Sequence, residues 1–259
     1  MSARHLRRSV NNMERFVEKP NLPVKNVRRV IVGKIPESVK NELEKRNIEV
    51  LKIKENSLFG NSLSTHADIN LVHLGKNRIL ISDSQQELAQ ILEKKGFEIE
   101  CFTLKGCEYP YDCAVNAAFS GENVICRFDI LDEKLKRFIN DNEYNIINVK
   151  QGYSKCSVCV VNGDSIITED ESVKNACEKC GISVLLIRKG YVMLEGFDYG
   201  FIGGAAFKLN ESNLAFIGKI ENHPDFNLIK GFLNKKGINY ISLGDTELTD
   251  VGSVIPINE

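Results

Sequence analysis

No run of the 259 residues approaches the ~20 consecutive apolar side chains that a membrane-spanning helix needs. Nor does the basic opening MSARHLRR lead into the apolar stretch of a secretory signal, because polar SVNNMERFVEKPN follows it. The expectation is a soluble, unexported, cytoplasmic protein with no membrane partner. An excess of either charge is missing too. With 34 Lys and Arg against 35 Asp and Glu, the net charge is −1, so nothing global attracts a nucleic acid. The local exception is Arg4, Arg7 and Arg8, read as a solvated terminus. No phosphate-binding P-loop is present and no glycine-rich turn opens a helix, so no cofactor is expected. The glycines of GFDYGFIGGA are read as close-packing positions.

What the chain does contain is a repeat. Residues 66 to 74 alternate as a strand, GKN turns, and RILI returns as a second strand. DSQQELAQILEKKG then supplies a helix, with Asp83 or Ser84 to cap it, Leu88, Ile91 and Leu92 as its apolar stripe and Gly96 to stop it. FEIECFTL closes the unit as a third strand, giving ββαβ. The same grammar runs from Cys113 to Val149, from Lys155 to Ile187 and from Gly203 to Leu243. SGEN and VNGD are short enough to demand antiparallel hairpins within those copies.

The two ends supply a fifth unit. Val27 to Ile53 carries a strand, helix and strand but lacks the leading strand, and Val251 to Ile257 is a lone strand. Pairing the last strand with the first module leaves no open edge. The predicted fold class is therefore α/β, a five-fold β/α-propeller of ββαβ modules closed by the C-terminal strand. Residues 1–26 form a lead-in and 27–257 a single domain.

Five such modules resemble the pentein fold of the guanidino-group-modifying enzymes, which include arginine deiminases, dimethylarginine hydrolases and amidinotransferases. NLPVKNVRRVIVG, VKQGYSKCSVCVV, LEGFDYGFIGGA and TDVGSVIPI are similar to segments of an uncharacterised bacterial family of that fold. In the resembled enzymes a cysteine thiolate attacks the guanidinium carbon, a histidine moves protons and carboxylates grip the cation. His66-Ala67-Asp68 is similar to their His-x-Asp element, and Glu195-Gly196-Phe197-Asp198 to their Glu-Gly-Gly-Asp element. Gly252 to Ile257 is similar to the run into the nucleophile. Here, however, Ile255 or Pro256 stands where the cysteine would be, and neither side chain can attack carbon. His66 also precedes Glu195, whereas those enzymes place the acidic element first.

Candidate site residues also follow from superposing the repeats on Asn77, Asn123, Ser165 and Asn213. Asp68 then matches Ala114, Cys156 and Gly204, while His66 matches Asp112, Ser154 and Ile202. Strand entrances should meet at one mouth of the axis, which gathers His66, Asp68, Asp112 and Cys156, with the loop residue Glu195 nearby, as catalytic candidates. Ser154, Asp198 and Asp250 join them as substrate-binding candidates. Positive charge from Lys155 and His66 would lower the Cys156 pKa and favour its thiolate. His73, deeper in its strand, is read as structural.

Eight cysteines in an unexported chain are expected to stay reduced. Cys156, Cys159, Cys177 and Cys180 also satisfy a four-thiolate zinc spacing, an alternative opposed by their places on a strand and a helix end. The functional expectation is a protein with an acidic axial pocket for a guanidinium- or amine-bearing small molecule. It is either a divergent hydrolase- or amidinotransferase-like enzyme or a non-catalytic binding or interaction module.

Overall fold

A computed structural model describes residues 14–60 and 62–259; Arg4, Arg7 and Arg8 lie outside them. The elements begin with β1 (Arg29–Val32), α1 (Glu37–Lys45), β2 (Glu49–Lys52), α2 (Ala67–Asn70), β3 (Leu71–His73), β4 (Arg78–Ser82), α3 (Gln86–Lys94) and β5 (Glu98–Phe102). They continue with β6 (Ala118–Ser120), β7 (Asn123–Cys126), α4 (Glu133–Asp141), β8 (Asn145–Asn148), α5 (Ser154–Ser157), β9 (Val158–Asn162) and β10 (Ser165–Thr168). The last are α6 (Glu171–Lys179), β11 (Ser183–Leu186), β12 (Ala206–Asn210), β13 (Asn213–Ile217), α7 (Phe226–Lys235), β14 (Asn239–Leu243) and β15 (Ile255–Asn258).

The strands form five three-stranded sheets, ordered β15-β1-β2, β3-β4-β5, β6-β7-β8, β9-β10-β11 and β12-β13-β14. In every sheet the middle strand pairs antiparallel on one side and parallel on the other. A short turn serves the first pairing in four of the sheets, the two ends of the chain meeting in the fifth, while the second needs a crossover, supplied by α1, α3, α4, α6 and α7. Local chemistry starts these helices where they start. Asp132 accepts the Lys134 amide ahead of α4, and Asp170 accepts the Ser172 and Val173 amides ahead of α6.

Five apolar cores lie between sheets. Ile31 and Ile257 pack with Leu71 and Ile81 between the first and second sheets, and Val72 and Leu80 with Phe119 between the second and third. Ala118 and Ile125 meet Val158 and Ile166, Cys159 and Ile167 meet Leu214 and Phe216, and Phe207 and Ala215 meet Val30 and Val254. The last of these cores joins the fifth sheet to the first. Alternating side chains thus serve two neighbours at once, which is why the inner strands are apolar on both faces.

Two sequence expectations need correction. Residues 67–70 and 154–157 are helical turns at the strand entrances, so the strand in the second module is confined to Leu71–His73. The first turn is held from within and from outside: Asn70 Nδ2 donates to the His66 carbonyl at 2.8 Å, and the Asp68 amide donates to Gly252 O at 3.1 Å. The second correction concerns register. The parallel ladders begin at Arg78, Asn123, Ser165 and Asn213, so Asn77 is one residue early as an anchor.

His73, Phe119, Val160, Lys208 and Pro256 each pair with the second residue of a middle strand and are equivalent. Five residues back, Asp68 therefore matches Ala114, Lys155, Gly203 and Val251, not Cys156 or Gly204. Likewise His66 matches Tyr153 and Phe201 rather than Ser154 and Ile202. Three residues back stand Asn70, Asn116, Ser157, Ala205 and Ser253, all fully buried.

Candidate functional site

The entrances of three modules converge on one hydroxyl. Ser253 Oγ donates to Asp68 Oδ2 at 2.6 Å, and Lys155 Nζ donates to Ser253 Oγ at 3.1 Å and to Gly203 O at 3.4 Å. Ser253 follows Gly252, and both are left-handed, with φ of 70° and 68°. For serine this conformation is unfavourable, and its two buried polar contacts hold it in place. At Gly252 a Cβ would lie 2.3 Å from His66 Cγ, so only glycine lets the C-terminal run pass against the imidazole.

Cys156 stands beside this hydroxyl. Its thiol donates to Asp68 Oδ2 at 3.1 Å, while Asn116 Nδ2 donates to Cys156 Sγ at 3.2 Å and to the Asp68 carbonyl at 3.3 Å. Asn116 Oδ1 accepts the Lys155 amide at 2.7 Å, tying the third module to the fourth. His66, Asp68 and Cys156 each present an atom within 4.8 Å of the others. His66 Nδ1 and Asp68 Oδ1 are buried and without a hydrogen-bond partner. Such atoms are uncommon in folded proteins and invite a functional explanation.

Electrostatics oppose the expected thiolate. Burial, followed by the Asp68 and Asp250 charges, pushes the Cys156 thiol well above its ordinary value. Lys155 turns its ammonium to Ser253 and Gly203 O instead of the sulfur. Burial also raises the Asp250 pKa, against the attraction of His66. Asp250 accepts the Phe201 amide through Oδ2 and the Gly252 amide through Oδ1, each at 2.9 Å. Gly204 leaves it room, since a Cβ there would lie 1.9 Å from Asp250 Oδ1.

The remaining candidates are placed as follows. Asp112 is buried, accepting the Tyr153 hydroxyl and, at 3.4 Å, the Cys113 thiol. Burial and this carboxylate raise the Tyr153 pKa. Ser154 donates to Gln151 O at 2.6 Å and is occupied in holding its turn. Glu195 is exposed, 3.5 Å from Lys34 Nζ, yet it shares with His66 and Asp250 the wall of a recess of about 230 Å³. Asp198 is exposed on the same loop and does not line that recess. His73 is occupied within its own turn, Nε2 donating to Lys76 O at 2.9 Å, and burial lowers its pKa to about 4.

The four-cysteine zinc alternative is overturned by packing. Cys159 lies in the core between the fourth and fifth sheets, Cys177 between the third and fourth, and Cys180 is exposed. Among the described residues, the donor cluster that does form is His66, Asp68 and Cys156.

Sequence reasoning missed Lys155 as a site residue, together with Ser253, Asn116 and Tyr153. A signal existed for two of them: with the anchor moved one residue to Arg78, Lys155 falls opposite Asp68 and Tyr153 opposite His66.

Solved structures of similar shape define the class. The inosamine-phosphate amidinotransferase StrB1 of Streptomyces griseus superposes with a TM-score of 0.60 at 10% identity, covering 94% of this chain and 97% of its own. The amidinotransferase SxtG of Microseira wollei gives 0.58 at 12% identity, over 88% of this chain and 91% of its own. Substrate-bound C315S agmatine deiminase of C. jejuni gives 0.56 at 11% identity, over 94% and 96%. The fold is that of the penteins, the fold of the guanidino-group-modifying enzymes. Within it, the chain belongs to a family of unknown function, DUF6873, which matches residues 30–255. No curated protein matches the sequence. Among the described residues no helix is long and apolar enough to cross a membrane.

Proposed function

We propose that the chain binds a small guanidinium- or amine-bearing molecule through His66, Asp68 and Asp250, with Glu195 at the mouth of the recess. The observation that carries this reading is charge. Asp68, Asp112 and Asp250 are at most 4% exposed, against one buried ammonium, that of Lys155, which reaches Asp68 through Ser253. Buried negative charge in excess is costly unless protons or a cation neutralise it. A guanidinium suits the purpose, being planar, weakly hydrated and able to present paired N–H donors to carboxylate oxygens. Asp68 Oδ1 is the buried acceptor still lacking such a donor. The shared fold of amidinotransferases and an agmatine deiminase supports the same substrate class.

With Ile255 and Pro256 in the terminal strand, turnover would rest on His66 for proton transfer and on a nucleophile other than a terminal thiolate. A second reading, a binding module without turnover, is favoured by the raised pKa of the Cys156 thiol. One experiment separates the two. Purified protein is melted with arginine, agmatine and methylated arginines, and the same mixtures are assayed for released ammonia, amine or ureido product. Binding predicts a rise of ~5 °C or more near a hundredfold excess over Kd. Product release adds catalysis; no shift and no product with any compound refutes the proposal.

A further inference from the structure

We propose that His66, Asp68 and Cys156 form a site for one divalent metal ion of the zinc class. Three residues from two modules bring an imidazole, a carboxylate and a sulfur within 4.8 Å of one another, all at most 3% exposed. Two of the donors are unspent, since His66 Nδ1 and Asp68 Oδ1 are buried and have no hydrogen-bond partner. Neither atom would have to give up a hydrogen bond to take an ion. Imidazole and thiolate select zinc and its neighbours over magnesium or calcium, and three protein ligands are the number that leaves a fourth position open. Of the three residues, His66 stands in the wall of the recess.

Surrounding groups are already arranged to orient the ligands. Asn116 Nδ2 donates to Cys156 Sγ at 3.2 Å, and Ser253 Oγ donates to Asp68 Oδ2 at 2.6 Å. The ion's charge would offset the buried carboxylates Asp68 and Asp250. On binding, the Cys156 S–H bond breaks, a sulfur–metal bond forms, and the proton leaves to solvent; nothing is oxidised or reduced. The inference goes beyond the guanidino reading and does not rest on it.

The test uses the full chain after chelator treatment, titrated with Co²⁺ and then Zn²⁺. The expected result is one Co²⁺ per chain with a near-ultraviolet thiolate-to-cobalt absorption band, displaced by Zn²⁺, and one proton released per ion in weak buffer. Cys156→Ser should abolish the band, and both Cys156→Ser and His66→Gln should weaken Zn²⁺ binding by roughly 100-fold or more with circular dichroism unchanged. The exposed Cys101, Cys107 and Cys180 remain in both variants. A band that survives Cys156→Ser therefore overturns the proposal, as does a wild-type chain that takes up no ion. The wild-type titration decides the matter even if a variant fails to fold. Because the arginine and agmatine melts can be run on chelator-treated protein, either reading can fail alone.

Discussion

The helical turns α2 and α5 occupy equivalent places in the second and fourth modules, yet one carries Asp68 and the other Lys155 at the same position. Both side chains end on Ser253 Oγ, supplied by the chain's last strand entrance. The repeat fixes where a side chain is delivered, and the residue at that place decides what it does there. Opposite charges at equivalent positions make a buried relay, Lys155 to Ser253 to Asp68, where Ala114, Gly203 and Val251 at the other three entrances add no charge. An ion pair bridged by a hydroxyl in the interior is costly to break from one side.

Removing the ammonium is the largest expected effect. Lys155→Met should lower unfolding free energy by about 4 kcal/mol in urea titrations, because the buried carboxylates lose their cation. Adding Asp68→Asn should recover part of that loss, with a coupling of ~1–3 kcal/mol in the double-mutant cycle. Independent effects that simply add would break the relay.

Next is the backbone that brings Ser253 to the pair. Gly252→Ala forces a Cβ to 2.3 Å from His66 Cγ at a φ of 68° and should cost about 3 kcal/mol. A melting temperature within a degree or two of wild type would show that the C-terminal run is not held there.

A carboxylate without a partner cation sharpens the contrast further. Glu169 Oε1 is buried and has no hydrogen-bond partner, and burial pushes its carboxyl up to about 8. A group raised in the folded state contributes stability fully present below its unfolded pKa, near 4.5, and lost as pH rises through about 8. Glu169→Gln should therefore melt like wild type at pH 4 and be more stable by ~2 kcal/mol at pH 9. Equal differences at both pH values would contradict the assignment. The smallest effect lies outside the site: Asp170→Ala removes the cap of α6 and should cost ~1 kcal/mol without altering any ligand response.

Much of this architecture is legible in the sequence because hairpin turns and crossover helices leave strong local marks. SGEN and VNGD predict the antiparallel pairs β6-β7 and β9-β10, and VGSVIPI predicts the pairing of β15 with β1. The site is less legible, for a physical reason. A β entrance is aligned only as well as its turn. From its partnered residue to the first residue of the next strand, the third module is one residue shorter than the second. A slip of one position exchanges Lys155 for Cys156 as the partner of Asp68.

His66, Asp68 and Cys156 nevertheless come together, because Cys156 sits one residue along the same helical turn. Glu195 and Asp198 stay on the surface. Their loop has the acidic spacing of the resembled element, but no buried strand draws their side chains inward.

The central claim is that the excess of buried negative charge around Asp68 takes up a small organic cation. Calorimetric titration of agmatine into chelator-treated wild type and Asp68→Asn tests it most directly. The account predicts saturable binding to the wild type, weakened at least ~10-fold by removal of one charged acceptor. Equal affinity in the two proteins, or no heat of binding in either, would contradict it.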